Sequence, residues 1–265
     1  MAQSSNSTLP LSSSDLAFLG PYLPPHATSK PAPHSTSDRP FVTLTYACSL
    51  DGLISLGPGL RTTLSGPETK SMTHYLRLHH DAILVGVGTA LADSPSLNCR
   101  YPGAGLEDQP RPVIVDPAAR WQPNDTPVVT LAEEGKAKAP WIVSKENAGG
   151  GQEGAVKRLV VPPTSSSSSS DRISWRSILH TLSEQGIRSV MIEGGATVIN
   201  ALLAEPDLVD AVIVTIAPTW LGQGGVAASP VGVVRDEQRV NAASMKETVW
   251  RQFGADAVVC GRMQA

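Results

Sequence analysis

Ala82-Ile83-Leu84-Val85-Gly86-Val87-Gly88-Thr89 decides the fold class. A nearly all-apolar run of this length reads as a strand covered on both faces, as in a parallel sheet. Just ahead of it, Ser65-Gly66-Pro67-Glu68 opens a helix, with Pro at an early position and an acid in the first turn. That helix is expected to run to about His80 and to bury Met72, Tyr75, Leu76 and His79. The pair His79-His80 would end it, where cations suit the helix dipole. Behind the strand, Gly86-Val87-Gly88 invites a dinucleotide-fingerprint reading that fails. The sixth position is Leu91, and Asp93-Ser94-Pro95 should break the helix that ought to follow. Thr89 and Asp93 then stand at the carboxyl end of a buried strand, where α/β sheets bind ligands. The same two residues would equally suit plain caps of a short turn.

Working outward, Phe41–Ala47 alternates, is β-branched and reads as a strand. Further short strands are expected at 112–116, 127–131, 141–143, 159–161, 189–192 and 209–216. Helices are expected at Trp175–Gln185, ended by Gly186, and at Ala196–Ala204. Two last strands, 247–253 and 257–260, would pair antiparallel at an edge. Strands alternating with helices imply an α/β fold, with a mostly parallel central sheet and helices on both faces.

Residues 1–39 are rich in Ser, Pro and Thr and read as a mostly flexible tail, with one apolar knot at Leu16-Ala17-Phe18-Leu19 by which it would dock. Residues 40–265 read as a single domain. It carries two loop insertions, near Gly149-Gly150-Gly151 and at the serine run Ser165–Ser170.

The net charge of −3 argues against a broad nucleic-acid or anionic-membrane surface, and leaves room for a local basic pocket. The three cysteines, Cys48, Cys99 and Cys260, are too few and too scattered for a disulfide framework or a zinc site. No apolar run approaches the roughly 18 residues of a membrane span, and no signal-peptide pattern opens the chain. The expected compartment is the cytoplasm, and the nucleus fits the same reading. The six histidines show no metal or triad spacing, and no G-x-S-x-G elbow occurs.

Glu193-Gly194-Gly195-Ala196-Thr197 joins an expected strand to an expected helix. Two glycines let the backbone approach a phosphate, and a helix start offers free N–H donors. A plain tight connection would look the same. Arg61, Arg77 and Arg100 are either solvated surface residues or partners for a phosphate monoester, which Arg grips through paired donors. Asp51, in Ser49-Leu50-Asp51-Gly52, is first a turn residue. As chemistry it would orient a substrate or relay a proton.

Four ordered stretches, 41–52, 81–98, 111–116 and 190–196, resemble the riboflavin-biosynthesis reductases. These comprise the reductase half of the bacterial bifunctional deaminase-reductase and its stand-alone fungal and archaeal relatives. The resemblance covers about residues 40–262. No zinc deaminase signature precedes it, so it is to the stand-alone form. It implies a dihydrofolate-reductase-like fold, NADPH as cofactor, a homodimer and no metal. The implied substrate is 2,5-diamino-6-(5-phosphoribosylamino)pyrimidin-4(3H)-one, whose ribosyl group becomes a ribityl chain. By the same resemblance Thr89, Asp93, Val161, Gly194, Gly195, Ala196 and Thr197 would meet the cofactor. Arg61, Arg77, Leu97, Arg100 and Glu193 would meet the substrate. The implied chemistry is transfer of hydride from C4 of NADPH to C1′ of the opened, imine form of the glycosylamine. Asp51 and Glu193 are the candidates for delivering the proton or orienting the substrate. Bacterial members tend to carry Lys where Thr45 stands and Trp near Thr63. The rival readings are a dihydrofolate-reductase-like enzyme acting on another pterin or pyrimidine, a non-catalytic nucleotide binder of the same fold, and a generic α/β partner-binding protein.

Overall fold

A computed structural model describes residues 8–25, 38–145, 156–161 and 173–264. The chain opens with helix α1 (Ser13–Leu19) and a 3-10 turn, then runs through β1 (Phe41–Ser49), β2 (Leu53–Ser55), α2 (Pro67–Leu78), β3 (Ala82–Gly86) and α3 (Val87–Asp93). Next come β4 (Arg111–Val115), α4 (Pro127–Glu133), β5 (Trp141–Ser144), β6 (Lys157–Val160), α5 (Trp175–Glu184), β7 (Ser189–Ile192) and α6 (Ala196–Leu203). It closes with β8 (Ala211–Ala217), the short β9 (Val226–Ala227), β10 (Val233–Arg235) and β11 (Gln238–Val240), and the edge hairpin β12 (Met245–Phe253) and β13 (Asp256–Met263).

Among the described residues, nine strands form one sheet in the order β12-β13-β8-β1-β7-β3-β4-β5-β6. From β8 to β6 every pairing is parallel, and β13 and β12 add on antiparallel. The strand period of two sorts the side chains into layers. On β3, Ala82 and Leu84 join the core under α5 and α6, with Leu179, Leu182 and Leu202. Ile83 and Val85 point the other way, onto Val128 and Val129 of α4. On that second face Met72 and Leu76 of α2 meet Met191, Ile213 and Val258. Each large apolar side chain so buried stabilises the fold by about 1.5–3 kcal/mol.

The chain leaves β1, builds β3 to β6 outward on one side, and then returns to insert β7 between β1 and β3 before crossing to β8. The carboxyl ends of β1, β7 and β3 therefore meet where the winding reverses, the place where open α/β sheets bind ligands.

Several expectations about the helices need correction. Residues 127–131 are helical, not a strand. Pro127 takes an early helical position after Thr126, and Val128 and Val129 are the buried pair. So short an apolar run has no period to read. Asp93-Ser94-Pro95 does not prevent a helix after β3. It ends one of seven residues, with Ser94 in the left-handed region at φ 43°. On α2 the buried residues are Thr69, Ser71, Met72, His74 and Leu76, whereas Tyr75 and His79 are half-buried. His80 is buried with Nδ1 2.6 Å from the Leu76 carbonyl and Nε2 2.8 Å from Thr43 Oγ1. Burial pushes its pKa down to about 4, so it is a neutral core residue and not a cation on the dipole.

The stretch read as a flexible tail includes α1, closed at its start by a Ser12–Asp15 capping box. Leu19 is fully buried, and Tyr22 and Leu23 are nearly so. The expected insertions at 149–151 and 165–170 lie outside the described residues. None of the described helices is long and apolar enough to cross a membrane.

Candidate active site

Helix α2 carries a polar stripe at Ser71, His74 and Arg77, three residues apart and therefore on neighbouring turns of one side. Arg77 ends the stripe at the carboxyl end of β7. Its Nε and Nη2 donate to Glu193 Oε1 and Oε2 at 3.2 and 2.8 Å, and its Nη1 donates to the Asn98 carbonyl at 2.9 Å. Two substrate candidates from distant parts of the sequence are thus brought together as a fork on a carboxylate. All three nitrogens of Arg77 are engaged inside the protein.

Arg100 differs. Its backbone N–H donates to His74 Nδ1 at 3.0 Å. Its side chain is exposed, yet partial desolvation and the neighbouring Arg77 charge hold the guanidinium below the usual arginine value. No side-chain partner for it occurs among the described residues. Two guanidinium groups close together, only one of them neutralised, make a place for an anion. His74 accepts from the Arg100 amide and must be unprotonated at Nδ1. Burial first, then Arg77 and Arg100, push its pKa down to about 3. Leu97, just before this loop's arginine, is buried and strained at φ 53°. Its side chain therefore packs inward, and only its backbone is left to meet a substrate.

Beside Glu193 the backbone is stripped of side chains. A Cβ on Gly194 would stand 3.0 Å from Val198 Cβ, and one on Gly86 would stand 2.9 Å from Val198 Cγ2. The first turn of α6 thus lies directly on the ends of β7 and β3. Gly195 has φ 47° and ψ 160°, and a Cβ there would be 2.8 Å from Thr89 Oγ1. Thr89 Oγ1 itself donates to the Gly194 carbonyl at 3.3 Å. No side chain caps α6, so the amides near Ala196 and Thr197 face outward from the helix start. Thr89, Gly194, Gly195, Ala196 and Thr197 therefore form one cradle. Asp93 sits one turn further along α3. Burial raises its pKa and the charge of Arg61 pulls it part of the way back, so Arg61 lies within electrostatic reach of this end of the helix.

Two candidates stand apart. Val161 is fully buried in the core, its amide donating to the Ser144 carbonyl, so its side chain packs inward and only its carbonyl is left to meet a ligand. Asp51 is exposed but engaged. It accepts from Ser49 Oγ at 2.5 Å and from the amides of Leu221 and Gly222 at 3.1 and 2.9 Å. The Ser49 hydroxyl, with those two amides, lowers its pKa to about 2. A carboxylate so held is a clamp for the 219–222 loop, and the proton-donor role expected for it does not fit.

Asp116 and Ser144, at the adjacent carboxyl ends of β4 and β5, are missing from the sequence reading. Both are fully buried, and Asp116 Oδ1 and Ser144 Oγ have no partner among the described residues. A polar residue closing an apolar strand was the available signal. Among the described residues no group of three or more His, Cys, Asp or Glu side chains could hold a metal ion.

Residues 40–259 match the RibD C-terminal domain. The chain belongs to the RibD C-terminal domain family. It is 42% identical over 262 residues to the 2,5-diamino-6-ribosylamino-4(3H)-pyrimidinone 5′-phosphate reductase of Eremothecium gossypii, covering 96% of this chain and 98% of that one. The reductase of the same name from Saccharomyces cerevisiae is 41% identical over 228 residues, 84% of this chain and 87% of that one. A solved Saccharomyces cerevisiae riboflavin biosynthesis reductase superposes with a TM-score of 0.77 at 37% identity, covering 94% of this chain and 99% of that structure. Every candidate residue lies inside the span matched to the RibD C-terminal domain, whereas α1 lies ahead of it.

Proposed function

We propose that this chain is the NADPH-dependent reductase that converts the ribosyl group of 2,5-diamino-6-(5-phosphoribosylamino)pyrimidin-4(3H)-one to the ribitylamino product in riboflavin biosynthesis. The near-full-length likeness to fungal reductases named for that pyrimidinone carries the reading, and the cleft is consistent with it. The side-chain-free turn at 194–195, with the uncapped start of α6 behind it, fits a dinucleotide: Thr89, Gly194, Gly195, Ala196 and Thr197 would hold it. Asp93 belongs to the same wall. A reduced nicotinamide bound there supplies the hydride.

The chain's own residues do the rest. Arg100 offers a free guanidinium to the 5′-phosphate. Arg77 holds the Glu193 carboxylate in a fixed plane at the end of β7, where it orients the sugar. Arg61, whose charge reaches Asp93, would close the substrate end. We also propose a homodimer, supported by the exposed Trp220, Val231, Val234 and Trp250, the last on the edge strand β12.

The test is turnover. The purified chain should oxidise NADPH in step with formation of a product two hydrogens heavier than the pyrimidine substrate. No turnover, or turnover of dihydrofolate instead, would overturn the assignment. Calorimetry should show tighter binding of NADPH than of NADH, and sedimentation at micromolar concentration should show a dimer.

A further inference from the structure

Residues 8–23 run as a strap from the loop that carries Arg100, across α2, to the edge hairpin of the sheet. At the far end the strap is buried and bonded. Leu19 is fully covered, Tyr22 donates to the Glu247 carbonyl at 2.7 Å, and Arg262 donates to the Pro21 carbonyl at 3.0 Å. Asp15 is joined to Arg251 at 2.7 Å. At the near end it makes three hydrogen bonds. Thr8 Oγ1 donates to the Arg100 carbonyl at 2.9 Å, the Leu9 amide to Ser71 Oγ at 2.9 Å, and the Leu11 amide to Tyr101 Oη at 3.0 Å.

Between the ends the strap stands off α2. A cavity of about 150 Å³, lined in part by Leu9, Pro10, Glu68 and Gln252, lies beneath it. The near end is thus held by hydrogen bonds more than by packing. Two of those bonds fall on the loop that positions the free arginine, at Arg100 and Tyr101, and the third falls on Ser71 of α2. The Arg100 N–H is fixed by His74 of α2, and its carbonyl is fixed by Thr8 of the strap. The next side chain, Tyr101, is fixed by Leu11.

We propose that Thr8 and Tyr101 are positioning residues for the substrate: through them the N-terminal strap fixes the Arg100 loop and so sets affinity for the phosphate end of the pyrimidine nucleotide. The proposal rests on the placement of Arg100 at the substrate phosphate. Neither residue's hydrogen bonds above reach the cofactor cradle at Thr89 and 194–197. Without the strap's bonds, Arg100 loses half of what orders its backbone, and binding an anion must then supply that order.

The test uses Thr8→Val and Tyr101→Phe, singly and together, in the full chain. Both keep the shape and remove one hydrogen-bonding group. The double variant should raise KM for the pyrimidine about three- to tenfold, the size of one or two lost hydrogen bonds. Its kcat, its Kd for NADPH and its Tm should stay near wild type. Thr8→Ser keeps the donor and should restore KM. An unchanged KM in the double variant overturns the proposal. So does a rise in KM that comes with equal loss of NADPH affinity, because that is general loosening. If the wild type does not reduce the pyrimidine, the proposed function has failed on its own account. The strap is then judged by calorimetry with ribose 5-phosphate. Weaker binding by the double variant supports the strap, whereas equal binding, or none to the wild type, overturns it.

Discussion

Arg77 and Glu193 lie 116 residues apart in the sequence and meet through two hydrogen bonds at the switch point of the sheet. Their side chains are 12% and 19% exposed, so the pair is largely removed from water. Removing the arginine strands a carboxylate and frees the Asn98 carbonyl. Arg77→Ala should therefore cost about 2–3 kcal/mol, because a lost hydrogen bond to a charged group is worth that much. Tm should fall by roughly 5–10 °C, and substrate affinity should fall with it. Arg77→Lys should recover only part of this, since an ammonium cannot span both oxygens. A thermal melt that leaves Arg77→Ala at wild-type Tm would show that the pair is not structural.

Arg100→Ala should behave in the opposite way. Its guanidinium makes no bond within the described protein, and two like charges, Arg77 and Arg100, stand close together. Deleting one relieves repulsion. Tm should stay the same or rise slightly, while KM for the phosphorylated pyrimidine rises roughly ten- to hundredfold. NADPH affinity should move less than about twofold. A fall in NADPH affinity would move the substrate phosphate away from this arginine.

Gly195→Ala tests the cradle. The backbone there has φ 47° and ψ 160°, a combination that disfavours a side chain, and the new Cβ would stand 2.8 Å from Thr89 Oγ1. We expect about 1–3 kcal/mol of strain and at least tenfold weaker NADPH binding. Adding Thr89→Ala should relieve the contact and leave the backbone strain, so the double variant should regain only part of the stability. Full recovery would mean that the backbone conformation costs nothing.

The parallel sheet was legible because its strands are apolar runs between helix signals, as at 82–86 and 189–192. The Gly194-Gly195 connection was legible too, since it stands between a strand and a helix. The division of labour between the arginines was not. Which arginine meets a carboxylate depends on contacts between residues 77 and 193, and no spacing rule reaches that far. The N-terminal helix was missed for another reason. Composition rich in Ser and Pro argues for disorder, but Ser12 with Asp15 three residues later is a capping box ahead of Leu16-Ala17-Phe18-Leu19. That local signal outweighs the average.

Deleting residues 1–25 should therefore do more than trim a tail. Leu19, Tyr22 and Leu23 leave the core, and Phe18 leaves its contact with Phe253, whose ring centroid is 5.9 Å away. At about 1.5–3 kcal/mol for each large buried side chain, the loss rivals the stability of an ordinary domain. The truncated chain should be insoluble or melt at least 10 °C lower. A truncated protein with wild-type Tm would show that α1 is dispensable to the core.

His74 and His80 make the fold sensitive to mild acid. Burial holds His74 at about 3 and His80 at about 4, against an ordinary value of 6.5. Below 6.5 the unfolded chain takes up protons at both positions, and the folded chain does not. Their neutral forms thus favour the folded state fully above 6.5, and that advantage is lost as pH falls toward 4 and 3. Each histidine contributes a slope of at most about 1.4 kcal/mol per pH unit in that window. Tm should fall between about pH 7 and about pH 5, a range above the titration of ordinary carboxylates. His74→Asn keeps a neutral acceptor for the Arg100 amide, now bonded to His74 Nδ1 at 3.0 Å, and removes the titration. Its Tm should therefore decline less steeply over the same range, and His80 should supply the slope that remains. Calorimetric melts of both proteins across the range decide the matter. Parallel curves would mean that His74 titrates alike in the folded and unfolded chain, and that its bond to the Arg100 loop does not depend on its being neutral.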